Sequence, residues 1–134
     1  MIVFNVLEFP GPDESKDNED RIIKLIDETK LTIDMAMYVV THPQLVSALI
    51  RAHERDVVIR LVVDNTMMKC TGSEVLMILD AGINVWVHGR KRYMMHDRYL
   101  VLDGEVVQHG NVNWSLHAMV SSGIICSATN VLCT

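Results

Sequence analysis

Residues 31–63 read LTIDMAMYVVTHPQLVSALIRAHERDVVIRLVV, and their periodicity decides the architecture. Positions 31–40 are dense in β-branched and aromatic side chains, with Ile33, Met35 and Met37 alternating, which predicts a strand buried on at least one face. Thr41-His42-Pro43 then opens a helix, since proline suits a first helical turn, and Leu45, Val46, Leu49, Ile50 and His53 keep the helical period. Arg55-Asp56 hands the chain to a second strand over 57–63. Strand, helix, strand within one short stretch is the signature of a parallel pair with a crossover helix.

The same logic extends both ways. Upstream, a strand over 2–9 ends at Pro10-Gly11-Pro12, residues 13–20 read as a polar loop, and a helix from Glu19 carries Ile22, Ile23, Leu25 and Ile26. Downstream, a helix over 73–81 is closed by Gly82 and followed by a strand over 83–87. The order β-α-β-α-β-α-β predicts an α/β fold, a three-layer α/β/α sandwich with a mixed central sheet. After Val87 the rhythm changes. Short strands over 99–102 and 105–108 flank Asp103-Gly104, a hairpin signal, then come the turn Gly110-Asn111-Val112-Asn113, a helical turn over 114–119 and a last strand over 123–132. Residues 1–134 are read as one domain.

Hydrophobic residues at 49% and charged residues at 22% suffice for a core and argue against disorder. Twelve Lys and Arg against 17 Asp and Glu give a net charge of −5, so an anionic substrate must meet a local positive patch and not a global field. Cys70, Cys126 and Cys133 are odd in number and far apart, which argues against a disulfide framework and a finger-type zinc site. The first residues show no basic start followed by an apolar run, so neither a secretion signal nor a membrane anchor is expected in this chain.

Chemistry-bearing residues concentrate between His88 and Asn113. Arg90, Lys91, Arg92 and Arg98 supply positive charge beside His88, His96 and His109. If strand geometry starts at His96, then His96, Arg98, Leu100 and Leu102 share one face, and a cation beside a histidine can hold an anion for attack by neutral imidazole. The Gly110-Asn111-Val112-Asn113 turn can add donors to the same oxygens. Arg90, Lys91 and Arg92 are candidate contacts to a substrate backbone. His42, next to a strand end, is a candidate to line the cleft. No Cys or carboxylate at ligand spacing joins His88 and His109, so no metal and no cofactor are expected.

His96-Asp97-Arg98-Tyr99-Leu100-Val101-Leu102-Asp103, followed after six residues by Gly110-Asn111-Val112-Asn113-Trp114, resembles the H-x-K-x4-D-x6-G-S-x-N signature of the phospholipase D superfamily. It is most similar to the single-motif branch that includes Zucchini, also called mitochondrial cardiolipin hydrolase. Residues 6–9 (VLEF), Pro43-x-Leu45, 57–64 (VVIRLVVD) and Ala81-Gly82-Ile83 extend the resemblance over essentially the whole chain. It implies that His96 is the nucleophile of a covalent phosphohistidine, that Arg98 stands for the phosphate-binding lysine, that Asn113 binds phosphate, and that Asp103 supports loop and histidine geometry. Asn111 stands where the family has serine, and Thr129 about where it carries a glutamate that orients the histidine.

A single motif implies a homodimer that brings two His96 side chains together, one attacking and one protonating the leaving oxygen. The activity implied is a metal-independent phosphodiesterase, foremost an endonuclease on single-stranded nucleic acid, RNA ahead of DNA, of the small-RNA-processing type that leaves 5′-phosphates. The alternatives are hydrolysis of a phospholipid such as cardiolipin, or a homologue with impaired catalysis that binds phosphodiesters or a protein partner. By the same resemblance the protein faces the cytosol, at the mitochondrial outer membrane.

Overall fold

A computed structural model describes residues 3–8, 12–89, 93–121 and 124–129. Strand β1 (Val3–Glu8) is followed by α1 (Pro12–Glu28), β2 (Thr32–Met37), α2 (Pro43–Glu54) and β3 (Val58–Asp64). A 3-10 turn at Met67–Lys69 leads to α3 (Val75–Asp80) and β4 (Asn84–His88). The chain then runs through β5 (Tyr99–Leu102), β6 (Val106–Gly110), α4 (Leu116–Ser121) and β7 (Ile124–Thr129).

The seven strands form one mixed sheet in the order β1-β7-β6-β5-β2-β3-β4. β2, β3 and β4 run parallel, as the β-α-β reading predicts, and β5, β6, β7 and β1 are joined antiparallel. Asp103 and Gly104 both take positive φ, 52° and 68°, as a tight hairpin between β5 and β6 demands.

Local chemistry explains the element ends. Pro43 occupies the first turn of α2, and Asp56, at φ 65°, turns the chain out of that helix into β3. α1 begins at Pro12 and not near Glu19, so the expected polar loop over 13–20 is helical. Its buried stripe runs Ser15, Glu19, Ile22, Ile26, with polar residues in the first two places. That is why apolar periodicity alone misses its start.

One sheet face holds the core. Ile33, Met35, Met37, Ile59, Leu61, Val63, Leu100 and Leu102 are buried there with Ile22, Ile26, Leu45, Leu49 and Met119 from the helices. α1 packs on α2 and α4, and α2 on α3, so among the described residues the helices form one connected layer. On the other face Val58 and the Arg60–Asp34 ion pair stay exposed or half-buried, whereas Ala36 and Asp64, near the C-terminal ends of β2 and β3, are buried.

Candidate active site

The topology carries several chain segments to one edge of the sheet. β5 is antiparallel to β2 with Tyr99 opposite Ala36, so His96 to Arg98, which precede Tyr99, lie past the C-terminal end of β2. β6 returns antiparallel to β5 with His109 opposite Tyr99, which delivers the following turn to the same edge. Trp114, 2% exposed, fixes that turn: its N–H donates to the Val39 carbonyl at 3.1 Å and its carbonyl accepts from Thr41 N–H at 2.8 Å. Ligand crevices in α/β sheets lie at such C-terminal strand ends.

Arg98 is the centre of the arrangement. Its Nε donates to Asn113 Oδ1 at 2.6 Å, and its Nη1 donates to the His96 carbonyl at 3.2 Å. Nη2 lies 2.9 Å from His96 Nε2 and Nη1 3.5 Å from Nδ1. A guanidinium only donates, so a hydrogen bond across the 2.9 Å contact has Nε2 as its acceptor. The guanidinium thus lies against the ring nitrogens of His96, with Nε2 the nearer. His96 is exposed and Arg98 half-buried, so the cluster meets solvent from a fixed base.

Tyr38, just past β2, is the member that the sequence reading did not single out. Its ring meets His96 edge-on, centroids 4.6 Å apart, and the Arg98 guanidinium carbon sits 5.5 Å from its centroid. An aromatic within 6 Å of a guanidinium is attractive, so Tyr38 steadies both groups. The signal that could have found it is its place at the end of a parallel strand.

Of the sequence candidates, the fold unites His96, Arg98 and Asn113, and Asn111 stands exposed in the same bend. Arg90, Lys91 and Arg92 lie outside the described residues.

Asp103 is at the opposite end of β5, where its carboxylate accepts from the backbone N–H groups of Lys30, Leu31 and Thr32 at 3.0, 2.6 and 2.9 Å. It ties the hairpin to the start of β2 and does not touch His96. Burial pushes its pKa up, but the three amides and the Lys30 charge outweigh this and hold the carboxyl below the usual range.

The expectation that His42 lines the cleft is corrected: it is fully buried. Its Nδ1 caps α2 by accepting from Leu45 N–H at 3.5 Å, and Nε2 lies 3.2 Å from Glu19 Oε2 without the alignment of a hydrogen bond. A helix N-terminus leaves N–H groups without partners, and the ring satisfies one of them.

Thr129 is also displaced from the expected role. It pairs with Val106, at the far end of β6 from Gly110, and Ile125 takes the place opposite Gly110. The backbone register therefore puts Thr129 near the Asp103 hairpin and away from the site.

Residues 22–127 match the family model described as cardiolipin synthase, PLD-like domain. The chain belongs to this phospholipase D-like family. It is 33% identical over 91 residues to mitochondrial cardiolipin hydrolase of Xenopus laevis, covering 68% of this chain and 43% of the relative. Against the human protein of that name the identity is 28% over 99 residues, covering 74% and 39%. The chain thus spans less than half the length of these two curated relatives.

Among solved structures, the phospholipase D family member Nuc of Salmonella typhimurium superposes with a TM-score of 0.83 at 24% identity, covering 98% of this chain and 85% of that one. NucT of Helicobacter pylori superposes at 0.78 with 19% identity, covering 96% and 87%. At these identities the likeness establishes the phospholipase D-like fold, in agreement with the sequence expectation.

Among the described residues no group of His, Cys, Asp and Glu is arranged to hold a metal ion, and no helix is long and apolar enough to cross a membrane.

Proposed function

We propose that this chain is a phosphodiesterase that works through a phosphohistidine on His96 in a homodimer, with single-stranded RNA as its foremost substrate. The observation that carries the reading is the Arg98 fork, which contacts His96 Nε2 at 2.9 Å and Asn113 at 2.6 Å. A phosphate entering here would take over guanidinium donors, which bind such oxyanions in a fork, and so release the imidazole lone pair beside the phosphorus.

Nε2 of His96 then attacks phosphorus, and the bond to the leaving oxygen breaks. His96 of the partner subunit gives that oxygen a proton, leaving one fragment with a 3′-hydroxyl. Water next attacks the phosphorus and loses its proton to the same second histidine; the phosphorus–nitrogen bond breaks, which frees a 5′-phosphate and restores His96. Arg98 and the Asn113 amide stabilise charge on the non-bridging oxygens in both steps.

Phospholipid hydrolysis is the second reading, favoured by exposed apolar side chains flanking the site in sequence. Tyr93 and Met94 precede His96 and are 71% and 63% exposed, and Leu116, soon after Asn113, is 56% exposed.

Purified protein in excess EDTA, given end-labelled single-stranded RNA or cardiolipin vesicles beside a His96→Ala control, tests both readings. RNA cleavage to 5′-phosphate ends, lost in the control, supports the first. His96-dependent release of phosphatidic acid alone supports the second. No turnover of either substrate would leave an impaired phosphodiester-binding homologue as the better account.

A further inference from the structure

Strand β3 ends at Asp64, a carboxylate only 2% exposed. Oδ1 accepts from the N–H groups of Thr66 and Met67 at 2.9 and 3.1 Å. Oδ2 reaches across 31 residues of sequence to accept from Met95 N–H at 3.0 Å, and that bond is buried. Met95 immediately precedes His96, and its side chain is 8% exposed. The other end of the same loop is tied to the next residue of β3's exit. Asn65 N–H donates to the His88 carbonyl at 2.9 Å, and a Cβ on Gly89 would stand 2.7 Å from Asn65 Cβ, so the backbone passes too close for any side chain.

We propose that Asp64 is a positioning residue for catalysis: by clasping the Met95 N–H it sets where the His96 backbone leaves the core, and hence where the imidazole stands against Arg98 and Asn113. This rests on His96 acting as proposed above. The Arg98 fork holds the ring only through solvent-exposed contacts that a substrate must displace, whereas the Asp64–Met95 bond is buried, away from the incoming phosphate. Burial alone would raise the Asp64 pKa, yet the three amides and the nearby His88 hold it below the usual range, so it remains a charged acceptor at neutral pH.

The test is Asp64→Asn in the full chain. The amide keeps one oxygen, best placed on the two donors of Thr66 and Met67, and turns an NH2 toward Met95 N–H. The expected result is a kcat on the chromogenic diester bis(p-nitrophenyl) phosphate lower by about 10–100-fold, the usual loss for a reacting group displaced by about 1 Å. KM stays within about threefold, and amide hydrogen exchange quickens at least about tenfold at Met95 while Thr66 and Met67 stay protected. Equal kcat with faster Met95 exchange, or unchanged Met95 exchange, overturns the proposal.

If Asp64→Asn does not fold, an amide-to-ester replacement at Met95 deletes the donor and leaves every side chain in place; it must reproduce the kcat loss, and normal kcat overturns the proposal. A wild-type protein inactive on the diester would count against the phosphodiesterase reading alone. The readout then becomes affinity for inorganic phosphate, followed by the His96 ring resonances. A weakening of at least about tenfold in Asp64→Asn supports the clasp, and an unchanged affinity overturns it.

Discussion

At the scale of single residues, the substitution that most alters this site is arginine at position 98, where the family signature has lysine. A lysine ammonium is a mobile point charge, whereas the Arg98 fork lies across both imidazole nitrogens and engages Nε2 at 2.9 Å. In the proposed mechanism each cycle must therefore begin by moving the arginine from the histidine to the substrate. Arg98→Lys removes that competition and keeps the charge. It should raise kcat/KM by about 5–30-fold, in the range that one to two kcal/mol confers. Initial rates on a small phosphodiester check it, and a fall in rate would show that the fork geometry is itself required. The motif spacing made His96, Arg98 and Asn113 legible in the sequence; Tyr38 was not, because nothing in its local pattern separates a strand-end aromatic that faces a site from one that fills a core.

At the scale of elements, the sequence made β2, α2, β3, α3 and β4 legible because their apolar periods are clean. The start of α1 was hidden because Ser15 and Glu19 occupy its buried stripe, and Glu19 is accommodated there by the pairing with His42. The same tertiary partnership moved His42 from a presumed cleft residue to a buried helix cap. Asp103 shows the converse: its spacing from His96 fits the motif, but its work is to join the β5–β6 hairpin to β2.

That role has a pH signature. The folded-state pKa of Asp103 is below its unfolded value, so its contribution is fully present above the unfolded pKa of about 3.9 and is lost as pH falls through the folded value. Asp64 acts in the same direction. Asp103→Asn should cost about 1–3 kcal/mol near neutrality, since backbone donors lose a charged acceptor, and should flatten the decline in melting temperature below about pH 4. Thermal melts from pH 3 to pH 7 check both effects. An acid limb as steep as in wild type would mean that Asp103 is not among the groups that set it.

At the scale of the whole molecule, one chain of the proposed enzyme holds one nucleophile, and a matching proton donor must come from a second chain. The account predicts a dimer of twice 15.2 kDa in sedimentation. It also predicts that mixtures of wild-type protein with His96→Ala, after subunit exchange, show activity that follows the square of the wild-type fraction. A linear dependence would mean that one histidine is enough.

If His96 becomes covalently bound to phosphorus during turnover, the adduct can be trapped. Turnover in EDTA would be stopped in alkaline detergent, which spares phosphoramidates, and the adduct mapped by mass spectrometry. The peptide containing His96 should then carry the mass of the phosphorus together with its retained 5′-nucleotide fragment, absent from His96→Ala. Steady turnover with no adduct, or equal turnover by His96→Ala, would contradict the proposed mechanism.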